Sequence, residues 1–581
     1  MYPWTGTIYI FPLLVVLPTW TVASSLPVVD LGYELHQAIA LDESIQAYNF
    51  SNIRYAAPPT GTRRFLPPSP PTEDRGEIQS GSVGRVCPQA SLTWEMAIMV
   101  PFLDSMASGT EFHGSSIVGD YPAVELAQDS RVTEDCLFLD VIVPKSVFER
   151  GAEDGGAKNT SLAPVLVWID GGGYISGDKT EKDPTGLLQQ GIDKEKEFVF
   201  VALNYRVSLI RPQEKCVSLT GKLGAFGWLS DISGEGFANA GLYDQRLALE
   251  WVREHIALFG GDPARVTVMG ESAGGGSVIH QLAAYGGNGT NSDEGELPFH
   301  QAIIQSPVWY PQSTQQQESA RRQFLELLNV TSIEEARSLE SNQLIAANAE
   351  QIASTSAYGT FTYGPVVDGT FAPDLPSRIL LDPSFKWKHL RVLSSHTSDE
   401  GLAFIPPAGM NSSAYESIIE AYFPGLLPET MGNISQTLYP PVYNSSSPQN
   451  PEYGSPMERA SLTVSDAFFQ CKNLYLNTIF NTTYAYVFNM PPGLHAQDIP
   501  FTFYNHSVPD VEAEFFDEDL ALTMQDHIVS FVREGVPSPQ ATPWEAYEEH
   551  GRVLSLASKN VTMIPDPVDN SRCRLWWEWS G

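Results

Sequence analysis

Val266-Thr267-Val268-Met269-Gly270-Glu271-Ser272-Ala273-Gly274-Gly275-Gly276 passes from an apolar, β-branched run through a Gly-x-Ser-x-Gly pentapeptide into residues 277–285, whose composition suits a helix. A strand that turns sharply into a helix at a serine lifts the hydroxyl above the sheet, because the flanking glycines leave room for a strained backbone. Ser272 is therefore the candidate nucleophile. Many pentapeptides of this form are plain turns, and the strand before and helix after are what set this one apart.

The same rhythm extends on both sides. Residues 137–143, 164–169 and 198–204 are β-branched and aromatic runs bounded by Gly, Asp or Pro, which read as strands buried on both faces. Leu249, Val252, Ile256 and Phe259 recur at helical spacing within 241–259, ahead of the strand at 266–269. Strand, helix, strand in that order builds a parallel sheet with right-handed crossovers. Further strands are predicted at 301–305, 390–394 and 484–489, and helices at 318–328, 414–422, 457–480 and 513–533. The Pro- and Gly-rich stretch 49–71 is predicted to wrap the surface. No internal repeat, long linker or low-complexity block interrupts the chain, so the expectation is one continuous α/β domain with large insertions.

Composition agrees with an enzyme-sized core. The 581 residues carry a formal net charge of −35, from 34 Lys+Arg against 69 Asp+Glu, and such a field repels phosphate backbones and anionic membranes. Nucleic-acid partners are excluded on that ground. With 42% hydrophobic and 18% charged residues the chain is too apolar for a disordered acidic polymer. Residues 8–17 form an apolar run too short for a membrane span, followed by the small residues Ala23, Ser24 and Ser25, which reads as a cleaved secretory signal over 1–25 ahead of a domain over 26–581. Asn-x-Ser/Thr occurs at Asn49, Asn159, Asn288, Asn329, Asn411, Asn433, Asn444, Asn481, Asn505 and Asn560, about half of all asparagines, as a glycosylated secreted chain would have it. No later segment has the length and apolarity of a transmembrane helix. Five cysteines, Cys87, Cys136, Cys216, Cys471 and Cys573, leave one thiol over after two bridges. No Cys-x-x-Cys pair or His cluster has ligand spacing, which disfavours a structural metal.

A serine nucleophile needs donors for the oxyanion it creates. Trp168-Ile169-Asp170-Gly171-Gly172-Gly173-Tyr174 follows directly on a strand, so Gly172 and Gly173, with Ala273, can supply backbone amides. A phosphate cradle would want Lys-Ser/Thr after its glycines, and none follows. The serine also needs a base and an acid, in the chain order nucleophile, acid, histidine. Glu400 in Thr397-Ser398-Asp399-Glu400-Gly401 and His495 in Gly493-Leu494-His495-Ala496-Gln497-Asp498-Ile499 each follow an apolar strand; from spacing alone each reads equally as a solvated loop residue.

Here the sequence resembles the type B carboxylesterase and lipase family, which includes the cholinesterases, over nearly the whole chain. The matching stretches are Phe50-Ser51-Asn52-Ile53-Arg54-Tyr55-Ala56, Glu134-Asp135-Cys136-Leu137-Phe138-Leu139, the 171–173 glycines, Asn239-Ala240-Gly241-Leu242-Tyr243-Asp244-Gln245 and Phe259-Gly260-Gly261-Asp262-Pro263-Ala264-Arg265-Val266. The resemblance implies an α/β-hydrolase fold, a mostly parallel central sheet flanked by helices. It implies Ser272 as nucleophile, Glu400 as acid, His495 as base, and Gly172, Gly173 and Ala273 as oxyanion donors. It also selects Cys87 with Cys136, and Cys471 with Cys573, among the three pairings of four cysteines. Such a site hydrolyses small carboxylic esters through an acyl-enzyme and requires no metal or organic cofactor. Glu271 either favours the charged form of His495 or is a structural carboxylate.

Three departures from the family stand out. Asp170 precedes the glycines where hydrolases usually carry His or an aromatic residue, so its carboxylate is expected to face away from the oxyanion. Residues 207–222 separate Asn204-Tyr205-Arg206 from Leu223-Gly224-Ala225-Phe226-Gly227, and deleting them restores the family pattern. They are either an unspliced short intron carried in the gene model or a surface loop holding Cys216. The apolar stretch 92–103 lies inside the first implied bridge loop and suits a lid or simple packing. Of the functions open to this fold, a secreted esterase leads. A lipase acting at interfaces is second, and an adhesion or binding protein third.

Overall fold

The computed structural model describes residues 26–88, 92, 94–107, 110, 129–153, 162–206, 224–230, 237–289, 295–309, 312–407, 410–443, 453–506, 516–537 and 542–580. The expected signal segment 1–25 and the anomalous segment 207–222 lie outside them.

Seven strands pair in parallel, in the spatial order Val199–Leu203, Ala163–Ile169, Gly261–Glu271, Gln301–Gln305, Arg391–Thr397, Thr482–Phe488 and Arg552–Ala557. Antiparallel strands extend this block at both edges: Phe138–Pro144, Ala47–Arg54 and Ala40–Asp42 on one side, Asn560–Pro565 on the other, for an eleven-stranded sheet. A separate three-stranded sheet joins Val28–Asp30, Glu34–Gln37 and Asp74–Gln79.

Side-chain alternation along each central strand divides the apolar residues between two cores. Val165, Val167 and Ile169 enter one core with Val199, Val201, Val266, Val268 and Ile304; Leu166 and Trp168 enter the other with Phe200, Met269 and Ile303. Helices must then cover both faces, and they do. Ala240–His255 and Ala273–Gly287 pack on the first, while Thr185–Asp193 and Glu518–Glu534 pack on the second through Leu187, Leu188, Met524, Ile528 and Phe531. This is the double-sided cover that runs of buried Val, Leu and Ile demand.

Every strand read from the sequence is present, and the parallel block holds one more, the strand Arg552–Ala557. One reading is corrected. The stretch 49–71 does not simply wrap the surface: its first residues belong to the strand Ala47–Arg54, where Phe50 and Ile53 are fully buried. The helical stretch 457–480 is continuous in direction but divides into Pro456–Ser465, a π-helical turn over Asp466–Gln470, and Cys471–Ile479.

Two disulfides close the fold, Cys87–Cys136 and Cys471–Cys573, with all four half-cystines buried. The first spans 49 residues. Loop-closure entropy for that span is worth about 4 kcal/mol. Replacing Cys87 and Cys136 together by serine is expected to lower the free energy of unfolding by about 2–4 kcal/mol, read from urea denaturation; an unchanged midpoint would count against a stabilising bridge.

Candidate active site

The strand Gly261–Glu271 ends and the helix Ala273–Gly287 begins with only Ser272 between them, at φ 55° and ψ −121°. A serine in this region is strained by about 1–3 kcal/mol and persists only where neighbours over-determine it. They do so through three backbone bonds. The Ser272 N–H donates to Gln305 O at 3.0 Å, and its carbonyl accepts from the N–H groups of Gly276 at 2.9 Å and Val308 at 3.0 Å. The glycines are sterically required. A Cβ on Gly270 would lie 2.5 Å from the Gly274 carbonyl carbon, and one on Gly274 would lie 2.1 Å from Ile169 O.

The glycine loop after Ala163–Ile169 lies against this turn: a Cβ on Gly171 would come 3.2 Å from Ser272 Cβ. Gly172 and Gly173 have φ of 90° and 63°, and the loop closes on itself through the Ile175 and Ser176 amides, which donate to Gly172 O. Among the described residues the Gly172 and Gly173 amides themselves donate no hydrogen bond. Ala273 opens its helix, so its N–H has no intrahelical acceptor. Three free amides thus collect beside Ser272. The Asp170 carboxylate is turned back onto the strand, where Oδ1 accepts from Trp168 Nε1 at 3.2 Å.

His495 reaches the same point from the loop after Thr482–Phe488. Gln497 fastens that loop, its Oε1 accepting from the Gly493 and Leu494 amides, both at 2.9 Å, and Gly493 O accepts from Asp399 N–H at 2.7 Å. His495 Nε2 lies 2.8 Å from Ser272 Oγ, and Nδ1 lies 2.5 Å from Glu400 Oε2. Ser272, His495 and Glu400 therefore form one hydrogen-bonded chain across residues 223 and 95 positions apart in sequence.

Glu400 is fully buried, and its other oxygen accepts from Ser306 Oγ and the Thr397 N–H, both at 2.7 Å. Burial alone would raise this carboxyl, but the adjacent His495 and those donors outweigh it and hold it below the ordinary glutamate range. Burial likewise acts to lower His495, yet Glu271 and Glu400 beside it win and raise it above the ordinary histidine value. Glu271 Oε1 is 3.3 Å from His495 Nε2. Burial, with Asp498 and Glu400 adding to it and His495 opposing, pushes the Glu271 carboxyl up to about 8.

Sequence reasoning missed the supporting shell. Ser306, at φ 42°, follows the strand Gln301–Gln305 and orients Glu400. Asp498 Oδ2 accepts from Tyr486 Oη at 2.6 Å and Gln305 Nε2 at 3.2 Å. Phe469 and Phe404 flank the imidazole at ring-centre distances of 4.4 and 5.1 Å. Only Asp498 carried a signal, its place three residues after the histidine. Within the stretch 92–103, Leu92, Trp94, Ile98 and Phe102 are buried, and Trp94 also reaches the cavity beside Ser272.

A model of the carboxylesterase family matches residues 36–576, and the chain belongs to that family. It is 38% identical over 579 residues to the protein called Carboxylesterase patB of Aspergillus clavatus, covering 97% of this chain and 98% of that one. It is 27% identical to the para-nitrobenzyl esterase of Bacillus subtilis over 91% of this chain and 95% of that one. The crystal structure of Aspergillus niger EstA aligns with a TM-score of 0.72 at 24% identity, covering 96% of this chain and 98% of that one, a likeness of fold, which is the α/β-hydrolase fold.

The electrostatics predict a measurable titration. The His495 imidazole is expected to titrate above the free-histidine value, and Glu271→Gln to lower its apparent pKa, because a group that favours the imidazolium is removed. Nuclear magnetic resonance of the His495 ring nitrogens reads this directly; an upward or absent shift would contradict the pairing.

Proposed function

We propose that this member of the carboxylesterase family is a secreted serine esterase that cleaves short-chain carboxylic esters through an acyl-enzyme. The observation that carries the reading is the continuous hydrogen-bonded chain from Ser272 Oγ through His495 to the buried Glu400. His495 takes the Ser272 proton as the oxygen attacks the ester carbonyl. Glu400 fixes the ring with Nδ1 as donor and stabilises the imidazolium that forms. The oxyanion is held by the amides of Gly172, Gly173 and Ala273, a preorganised set that costs no reorganisation during reaction. His495 then returns its proton to the leaving alcohol. Water repeats the sequence to release the acid and restore Ser272. Each step uses groups of the chain alone, and a binding protein on the same fold would have no need of this complete set.

Secretion is supported by the two buried disulfides and by the exposure of the sequon residues Asn329, Asn411, Asn433, Asn481 and Asn560, any of which can carry a glycan without disturbing the core. Asn411 illustrates the point. Its Oδ1 caps the helix Ser412–Tyr422 while its Nδ2 remains free for modification.

The preference for esterase over lipase chemistry rests on a second cavity at Ser272, walled by Gly173, Val308, Phe361, Val464, Phe468 and Phe469 and only about 20 Å³ in volume. That is space for one small group. A long acyl chain would have to displace packed aromatic rings, at a cost of about 1–3 kcal/mol or more.

Ser272→Ala is expected to lower kcat for p-nitrophenyl acetate by about 10⁴-fold or more while the protein stays folded; retained turnover would refute the assignment. Across p-nitrophenyl esters of increasing acyl length, kcat/KM is expected to fall at least about tenfold from acetate to octanoate. Preference for emulsified long-chain esters would instead identify a lipase.

A further inference from the structure

The tetrahedral carbon formed on Ser272 has four substituents, and the chemistry assigns a direction to each. One is the serine oxygen and one is the oxyanion at the amides. The leaving oxygen must lie within reach of His495 Nε2, because that nitrogen protonates it, and the acyl chain takes the direction that remains. Two cavities meet at Ser272, and only one has His495 in its wall. That cavity, about 320 Å³ in volume, therefore receives the alcohol, and the apolar cavity of about 20 Å³ receives the acyl group.

The alcohol cavity differs in chemistry from its neighbour. Trp94, Met99 and Leu103 line part of it, but Glu95, Asp170, Glu181 and Lys182 line the rest. Lys182 Nζ lies 2.5 Å from Glu181 Oε1 and 3.8 Å from Asp170 Oδ1, with the Lys182 and Glu181 side chains only 13% and 8% exposed. Asp170 Oδ2 is itself buried. An alkyl leaving group seated here would strip the remaining water from this ion pair without replacing its hydrogen bonds. A hydroxylated one replaces them. Glu181 and Lys182 offset one another, and burial pushes the Glu95, Asp170 and Glu271 carboxyls up towards their neutral forms, so the lining offers no net charge to pair with an anionic or a cationic alcohol.

Resting on the serine esterase reading above, we infer that the substrate is a short-chain ester of an uncharged, hydroxyl-bearing alcohol, whose hydroxyls are held by the Glu181–Lys182 pair. Two further groups fit neutral hydroxyls. Burial, aided by Glu181, pushes the Glu95 carboxyl up to about 7, and burial pushes Glu271 up to about 8, so near neutrality both can donate as well as accept.

The test compares glyceryl 1-acetate with n-propyl acetate, which share an acyl group and a carbon skeleton and differ by two hydroxyls. The wild-type protein is expected to favour the glyceryl ester at least about tenfold in kcat/KM, mostly through KM. In the double variant Glu181→Gln, Lys182→Met that ratio is expected to fall below about threefold. The ratio is taken within one preparation, so loss of folded protein does not move it. Equal or better turnover of n-propyl acetate by the wild type, a still better rate on acetylcholine, or an unchanged ratio in the variant would each overturn the inference. Wild-type hydrolysis of p-nitrophenyl acetate separates this from the reading beneath it: if that ester is cleaved the esterase assignment stands whatever the ratio, and if it is not, the assignment itself has failed.

Discussion

Everything around the site depends on the chain reversal at Ser272. A non-glycine residue at positive φ, squeezed between the end of a strand and the start of a helix, holds its hydroxyl in one direction and leaves no slack in the backbone on either side. The contacts that enforce it are backbone against backbone: Gly270 on Gly274, Gly274 on Ile169, Gly171 on Glu271. These same close approaches bring the amides of the glycine loop next to the hydroxyl. The position of the serine and the position of the glycine-loop amides are thus one steric fact, and a methyl group at Gly270 or Gly274 would disturb both.

Much of this was legible because it is local. Strand, Gly-x-Ser-x-Gly and helix are contiguous, and the buried parallel strands announce themselves as unbroken apolar runs such as Val165 to Ile169. The peripheral strands were harder to read. The strand Asp74–Gln79 is almost wholly exposed, and Ala40–Asp42 buries none of its residues, so neither carries a hydrophobic pattern. Glu400 and His495 could be read as site residues only by likeness to the family, since their local sequences would serve equally on a solvated loop. Ser306, Lys182 and Glu181 gave no signal at all. Their roles come from which strand ends the sheet order brings together, and that order is not written in any one segment.

The site also concentrates negative charge where water is scarce. Glu271, Glu400 and Asp498 surround one imidazole, and burial pushes Asp498 up to about 6 and Glu271 higher still, while Glu400 alone is held down by its donors. The arrangement sorts otherwise similar carboxyls into different protonation states by the number of hydrogen bonds each receives. Glu400 accepts from Ser306, Thr397 and His495, and it is the one held below its ordinary range.

The spatial order of the parallel block carries a consequence for the gene that encodes it. Neighbouring strands at the centre come from residues 163 to 305, but the flank that delivers the carboxylate and the imidazole comes from residues 391 to 557. A message ending prematurely anywhere before codon 495 would yield neither the imidazole nor the outer strands that shield the last apolar face. Truncated products of this locus would therefore lack the assembled site altogether rather than carry a weakened one.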